Sequence, residues 1–148
     1  KSKVSGQKAT SMNPNDPRVI SVYGEALLRV NELDKGIEYL EKAFELDPIP
    51  QGQTTSDRRL AALFLGYFLK NDFLHCQELN KEIVNIDIRT WLLNSYLCKN
   101  NNNDYQKESW FILGLNEFKS SNWNMEIDRF HLNDDSLKTK LMNFAEKV

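Results

Sequence analysis

The sequence predicts an all-α protein built from stacked helix pairs, and three observations carry that prediction. Pro14 and Pro48 stand 34 residues apart, each closing a matching phrase, Met12-Asn13-Pro14 and Leu46-Asp47-Pro48. That spacing is the length of one helix–turn–helix repeat, and a proline cannot continue the helix before it. Between the prolines, apolar residues recur at intervals of three and four, the period of a helix with one buried stripe. Short polar stretches, Asn31 to Asp34, Asn71-Asp72 and Asn100 to Asp104, punctuate the apolar segments where turns belong.

Residues 1–14 read as the remnant of a preceding unit, because Ala9 lies five residues before Pro14 as Ala43 lies five before Pro48. The chain is therefore expected to start inside a second helix and to be a piece of a longer array. The first complete unit spans 15–48. Asp16-Pro17 opens its first helix, Asp as the cap and Pro at a tolerated position. Val19, Ile20, Tyr23, Leu27 and Val30 form the apolar face, and Gly24 permits close helix contact. The second helix buries Leu33, Ile37, Leu40, Ala43 and Phe44. Ile49 to Thr55, with Pro50 and Gly52, reads as an inserted loop, either a tolerated surface excursion or a binding loop. Thr54-x-x-Asp57 has the form of a capping box for the helix that follows.

The second unit, 54–87, carries Ala62-x2-Leu65-Gly66-x2-Leu69 and then a helix with Phe73, Cys76, Leu79, Ile83 and Ile86. A degenerate third unit, 88–118, keeps the lead aromatic in Trp91-x2-Asn94-Ser95-x2-Cys98. Tyr105 to Phe118 is apolar nearly all round, which predicts burial on more than one side. In the final segment, 119–148, Trp123, Met125, Ile127 and Phe130 suit a short strand or an irregular packed stretch. Asn133 or Asp134 then caps a last helix with Leu137, Leu141, Phe144, Ala145 and Val148 on one face. This segment is the expected C-terminal cap, since the last unit of a stack must cover its open end.

Ile20-x2-Tyr23-Gly24-x2-Leu27, followed by Gly36-x3-Leu40-x2-Ala43 and Pro48, resembles the tetratricopeptide repeat. The second unit resembles it through Leu65-Gly66 but holds Asn80 where an aromatic is preferred, and the third loses Leu-Gly. The likeness covers residues 1 to 118. The layout, with its hydrophobic segment and Asp-capped final helix, also resembles the C-terminal repeat arrays of bacterial class III nucleotide cyclases or winged-helix transcriptional regulators. No cyclase or winged-helix residues are present. The resemblance implies a right-handed superhelix whose first helices line a concave groove for partners. The groove positions it implies are Arg18, Glu25 and Arg29, then Leu63, Tyr67 and Lys70, then Arg89, Leu92, Tyr96 and Lys99. Tyr67 and Tyr96 fall at matched places, each three residues before a lysine, and are the expected anchors. Tyr with Lys and Arg suits an extended or helical peptide carrying acidic groups. The competing reading is solvated side chains with no ligand. Repeats that grip the acidic tails of chaperones use a Lys and an Asn where this chain has Ser21 and Glu25, so that role is not expected.

Composition narrows the function further. A net charge of −2 leaves no global basic field for nucleic acid. No apolar run approaches the ~18 residues a membrane helix needs, and Lys1 to Thr10 lacks an apolar signal-peptide core. Two cysteines, Cys76 and Cys98, cannot form a disulfide framework. Both fall on apolar faces and read as packed core thiols, with a bridge between them geometrically open. Free-looking cysteines make the cytoplasm the default compartment, and the periplasm the alternative if the array sits behind a membrane anchor. His75 and Cys76 are neighbours on a helix and point ~100° apart, so they converge on no metal or substrate. The six glycines are scattered and form no phosphate loop. Asp134-Asp135 is explained by a helix N-terminus. No catalytic, cofactor-binding or metal-ligating residue is expected, and no enzyme.

The expected function is a protein-interaction module that docks a peptide or partner domain in the groove, or pairs with itself as a homodimer. The alternative is the regulatory or sensory end of a bacterial signalling protein, a nucleotide cyclase or transcriptional regulator.

Overall fold

In the computed structural model, which describes residues 15–49 and 52–148, all regular structure among the described residues is helical. Helices α1 (Pro17–Arg29) and α2 (Leu33–Leu46) form the first pair, and α3 (Gln53–Leu69) and α4 (Phe73–Glu82) the second. Helices α5 (Ile88–Asn100) and α6 (Ser109–Phe118) form the third, followed by α7 (Trp123–Asp128) and α8 (Asp135–Lys147). The expected remnant at 1–14 and Pro50 of the inserted loop lie outside the described residues.

The first helix of each pair ends the same way. Asn31, Asn71 and Asn102 sit in the left-handed region at φ 64°, 59° and 54°, which Asn tolerates better than most side chains. Each turn satisfies two carbonyls that the helix leaves open. Asn31 N–H donates to Leu28 (3.1 Å) and Glu32 N–H to Leu27 (2.9 Å). Asn71 and Asp72 repeat this onto Phe68 and Tyr67 (both 2.9 Å), and Asn102 and Asn103 onto Lys99 (3.1 Å) and Cys98 (2.9 Å). The polar stretches of the sequence are therefore one device used three times. After Asn102 the next helix is delayed to Ser109, which is where the pattern loosens.

Within the first pair, α1 and α2 approach backbone to backbone. A Cβ on Gly24 would lie 3.0 Å from the Gly36 carbonyl and 2.8 Å from Leu40 Cγ. One on Gly36 would lie 3.0 Å from the Gly24 carbonyl. Gly24→Ala is therefore expected to be a net loss, with about 1–3 kcal/mol of overpacking set against about 1 kcal/mol of helix propensity. A lower urea midpoint at unchanged m-value is the reading that checks it.

Helix α3 is the centre of the molecule and packs on α1, α2, α4 and α5. Its start corrects the expected capping box. The helix begins at Gln53, after Gly52 at φ 83°, with no side-chain cap, so Thr54 lies inside it. Asp57 instead turns to the segment after α4, accepting from the N–H groups of Val84 and Asn85 (both 3.0 Å) and from Gln53 Nε2 (2.9 Å). A second polar link joins the first two pairs, where buried Arg59 reaches the Asp47 carboxylate at 3.1 Å.

The third pair departs most from expectation. Helix α6 buries Phe111 and Gly114, while Leu113 is 69% exposed and Ile112 45%. Burial on several sides was expected there, but α5 is the helix that packs on α6. The fully buried Trp91 of α5 fills that contact, stacked on Phe111 (5.2 Å) and donating its indole N–H to the Phe111 carbonyl (3.1 Å). The stretch expected as strand or irregular structure is the short helix α7, which turns Trp123 and Ile127 inward and leaves Met125 exposed. Asp134 caps α8, accepting from Leu137 N–H at 3.1 Å, and α8 packs Leu141, Phe144 and Ala145 inward, with contacts to α5.

Candidate functional site

The ten expected groove residues do not share one surface. Leu63 and Leu92 are buried in the core and are removed from the candidate site. Tyr67 and Lys70 lie on the side of α3 facing α2 and α4. There the Tyr67 hydroxyl donates to Glu41 (3.3 Å) and its ring stacks on His75 (4.3 Å). Lys70 pairs with Asp34 at 2.5 Å. Burial and the Glu41 carboxylate both raise the Tyr67 pKa, so the phenol stays protonated and donating. Asp34, Glu38, Glu41 and Glu45 line this groove, and it presents an acidic wall to any ligand. Tyr96 is half-buried between Phe68 (6.5 Å) and Phe144 (5.7 Å), and Lys99 lies over the Phe144 ring at 5.4 Å. Helix α8 thus covers ground that was expected to be open. Arg18 is exposed beside its own cap, Asp16, at 3.5 Å.

Glu25, Arg29 and Arg89 do come together. They line a cleft of about 480 Å³ on the opposite side of α3, joined by Arg58 and Arg129. Each arginine has a different origin. Arg29 ends α1, Arg58 lies in the second turn of α3, Arg89 in the first turn of α5, and Arg129 follows α7. Parallel use of helix ends and starts brings four cations from distant sequence onto one opening.

The carboxylates of the cleft are largely engaged elsewhere. Asp57 binds the two N–H groups and the amide already described. Asp87 caps α5 through Thr90 N–H at 3.1 Å, and Glu126 pairs with Arg129 at 3.3 Å. Among the described residues Arg29, Arg58 and Arg89 form no ion pair, and Glu25 is the one cleft carboxylate with no engaged oxygen. Among the described residues the cleft therefore offers three unpaired guanidinium groups against one unengaged carboxylate, Glu25. Arg58 was missed in the sequence because it sits beside Arg59 in a mostly apolar helix. One residue of rotation sends Arg59 to Asp47 and Arg58 to the cleft.

Cys76 and Cys98 are free and buried. Burial, assisted by Asp72 and Cys98, pushes the Cys76 thiol up to about 12. Burial pushes Cys98 to about 11, so both remain thiols. His75 turns outward and its Nδ1 meets Asp72 at 2.7 Å. Among the described residues no group of three His, Cys, Asp or Glu is placed to hold a metal ion. No helix among them is long and apolar enough to cross a membrane. Comparison with known proteins finds no matching family model, no matching curated protein and no matching solved structure.

Proposed function

We propose that this chain is a protein-interaction module of the tetratricopeptide kind, acting without catalysis, that binds an acidic peptide segment on the α1/α3/α5 face. One observation supports it above the others: Arg29, Arg58 and Arg89, from three successive helix pairs, open on one cleft without carboxylate partners among the described residues. A guanidinium presents five N–H donors in a planar fork that matches a carboxylate. A lone solvated arginine is ordinary; three facing one hollow are a pattern of donors suited to an extended acidic chain. The acidic groove around Tyr67 and Lys70 has the wrong charge for the same ligand.

The test is fluorescence anisotropy with short labelled peptides of Leu with Asp and Glu, beside counterparts carrying Lys. The acidic peptides are expected to bind, and more weakly as salt rises. Arg58→Ala with Arg89→Ala is expected to weaken binding by about tenfold or more, with helicity unchanged. Equal affinity for the Lys counterparts, or none lost in the double variant, overturns the reading.

A further inference from the structure

The α1/α3/α5 face already holds one peptide, the chain's own. Between α7 and α8 a turn through His131 and the short irregular segment after it lie on this face, and burial alternates along them: Phe130 and Leu132 are each 5% exposed, while His131 and Asn133 are exposed. Asn133 Nδ2 donates to the carbonyl of Arg29, the last residue of α1, although the two lie 104 positions apart in the sequence. Asp134 and Asp135 follow at once and line a cleft of about 850 Å³ with Arg29 and Arg89, two of the arginines described above. Phe130 belongs to the walls of both clefts, so this strap divides what is otherwise one surface.

A cap needed to close the third pair has no reason to reach α1. Helix α8 already covers α5 through Leu141, Phe144 and Ala145. The strap adds a two-anchor segment with an acidic pair at its end, seated beside guanidinium groups of Arg29 and Arg89 that form no ion pair among the described residues. Its hold on the face rests on the two buried side chains, and its polar hold is slight. Among the described residues, the Asn133 bond is the sole side-chain hydrogen bond from residues 130–135 to α1, α3 or α5. His131, at φ 56°, closes α7 in the manner of Asn31 after α1, its N–H donating to the Asp128 carbonyl at 3.4 Å.

We infer that residues 130–135 are an internal ligand, and that the partner is an acidic segment with two apolar residues at alternate positions followed by an acidic pair, which displaces them. The inference rests on the acidic-peptide reading and adds to it the ligand's pattern and a competitor built into the chain. Binding is then an exchange: the strap leaves, Phe130 and Leu132 are replaced by the partner's apolar pair, and the Arg29 carbonyl is returned to a new donor or to water. A segment in place at high effective concentration lowers apparent affinity for any competitor, and weakening its hold restores that affinity.

The probe is a labelled peptide with the sequence of residues 129–137, added in trans to the full chain and to Asn133→Ala, whose side chain is exposed and whose loss leaves the core untouched. The variant is expected to bind the peptide about tenfold more tightly than the parent, through loss of one competing hydrogen bond. Hydrogen exchange at 130–133 is expected to rise as peptide is added, and a peptide with both aspartates replaced by Lys is expected to bind neither protein. Equal affinity for parent and variant overturns the inference, as does binding without faster exchange in the strap. If simple acidic peptides still bind in an arginine-dependent way, the site reading survives and the internal ligand alone falls. If no acidic peptide binds any variant, both fall.

Discussion

Trp91→Ala is expected to cost about 3–5 kcal/mol, the range for truncating a large buried aromatic. The indole is fully buried at the junction of α5, α6 and α7, stacked on Phe111 at 5.2 Å and on Trp123 at 6.1 Å, with Phe118 at 5.9 Å. Gly114 is part of the same fit: a Cβ there would lie 2.1 Å from Trp91 Cδ1, so α6 approaches as closely as it does because that residue has no side chain. Removing the ring opens a cavity that two rigid helices cannot close, and leaves the Phe111 carbonyl without its indole donor. Urea denaturation read by circular dichroism checks the magnitude. A loss below about 1 kcal/mol, the average for an arbitrary substitution, would show that the third pair is held by something else.

Asp57→Ala is expected to cost about 2–3 kcal/mol, because it strips acceptors from two backbone N–H groups and a side-chain amide at once. The effect has a pH signature. Burial pushes the carboxyl up, but the N–H groups of Val84 and Asn85 and the Gln53 amide outweigh it, and the net shift is downward. A carboxyl held below its ordinary range contributes stability that is complete above that range. The contribution is lost as pH falls through it toward the lowered folded-state value. The stability gap between the parent and Asp57→Ala should therefore be widest near neutrality and close on acidification. A gap that stays constant with pH would mean the ionised carboxylate is not what the 84–85 segment needs.

Neither residue was legible for its role. Trp91 was visible as the lead aromatic of a degenerate unit, but nothing local says that two helices and a glycine will close around it. Asp57 looked like the end of a capping box because Thr54 stands three residues before it. The helix began earlier, at Gln53, and the carboxylate answered a demand raised 27 residues later. Hydrogen bonds of that span leave no periodic trace in a sequence.

Helix α3 explains why the expected site divided in two. Its buried residues run almost without a break from Arg59 to Gly66, so it has no single apolar stripe from which to read an outward face. Leu63 and Tyr67 lie on one side of it and Arg58 and Ala61 on the other, and only the neighbours decide which side stays open. The reverse error occurred at α6, where an apolar composition promised burial and the neighbours supplied it on one side.

By itself the sequence determined the helical class, most of the helix starts, and the asparagine turns that close the first helix of each pair. These depend on residues a few positions apart, where backbone sterics and capping hydrogen bonds act regardless of the rest of the chain. The tertiary structure alone decided which cations meet, which tyrosine is covered, and that Asn133 reaches back to Arg29. Those outcomes follow from how whole helices rotate and stack to hide their apolar surface, a sum over many weak contacts that no short stretch of sequence carries.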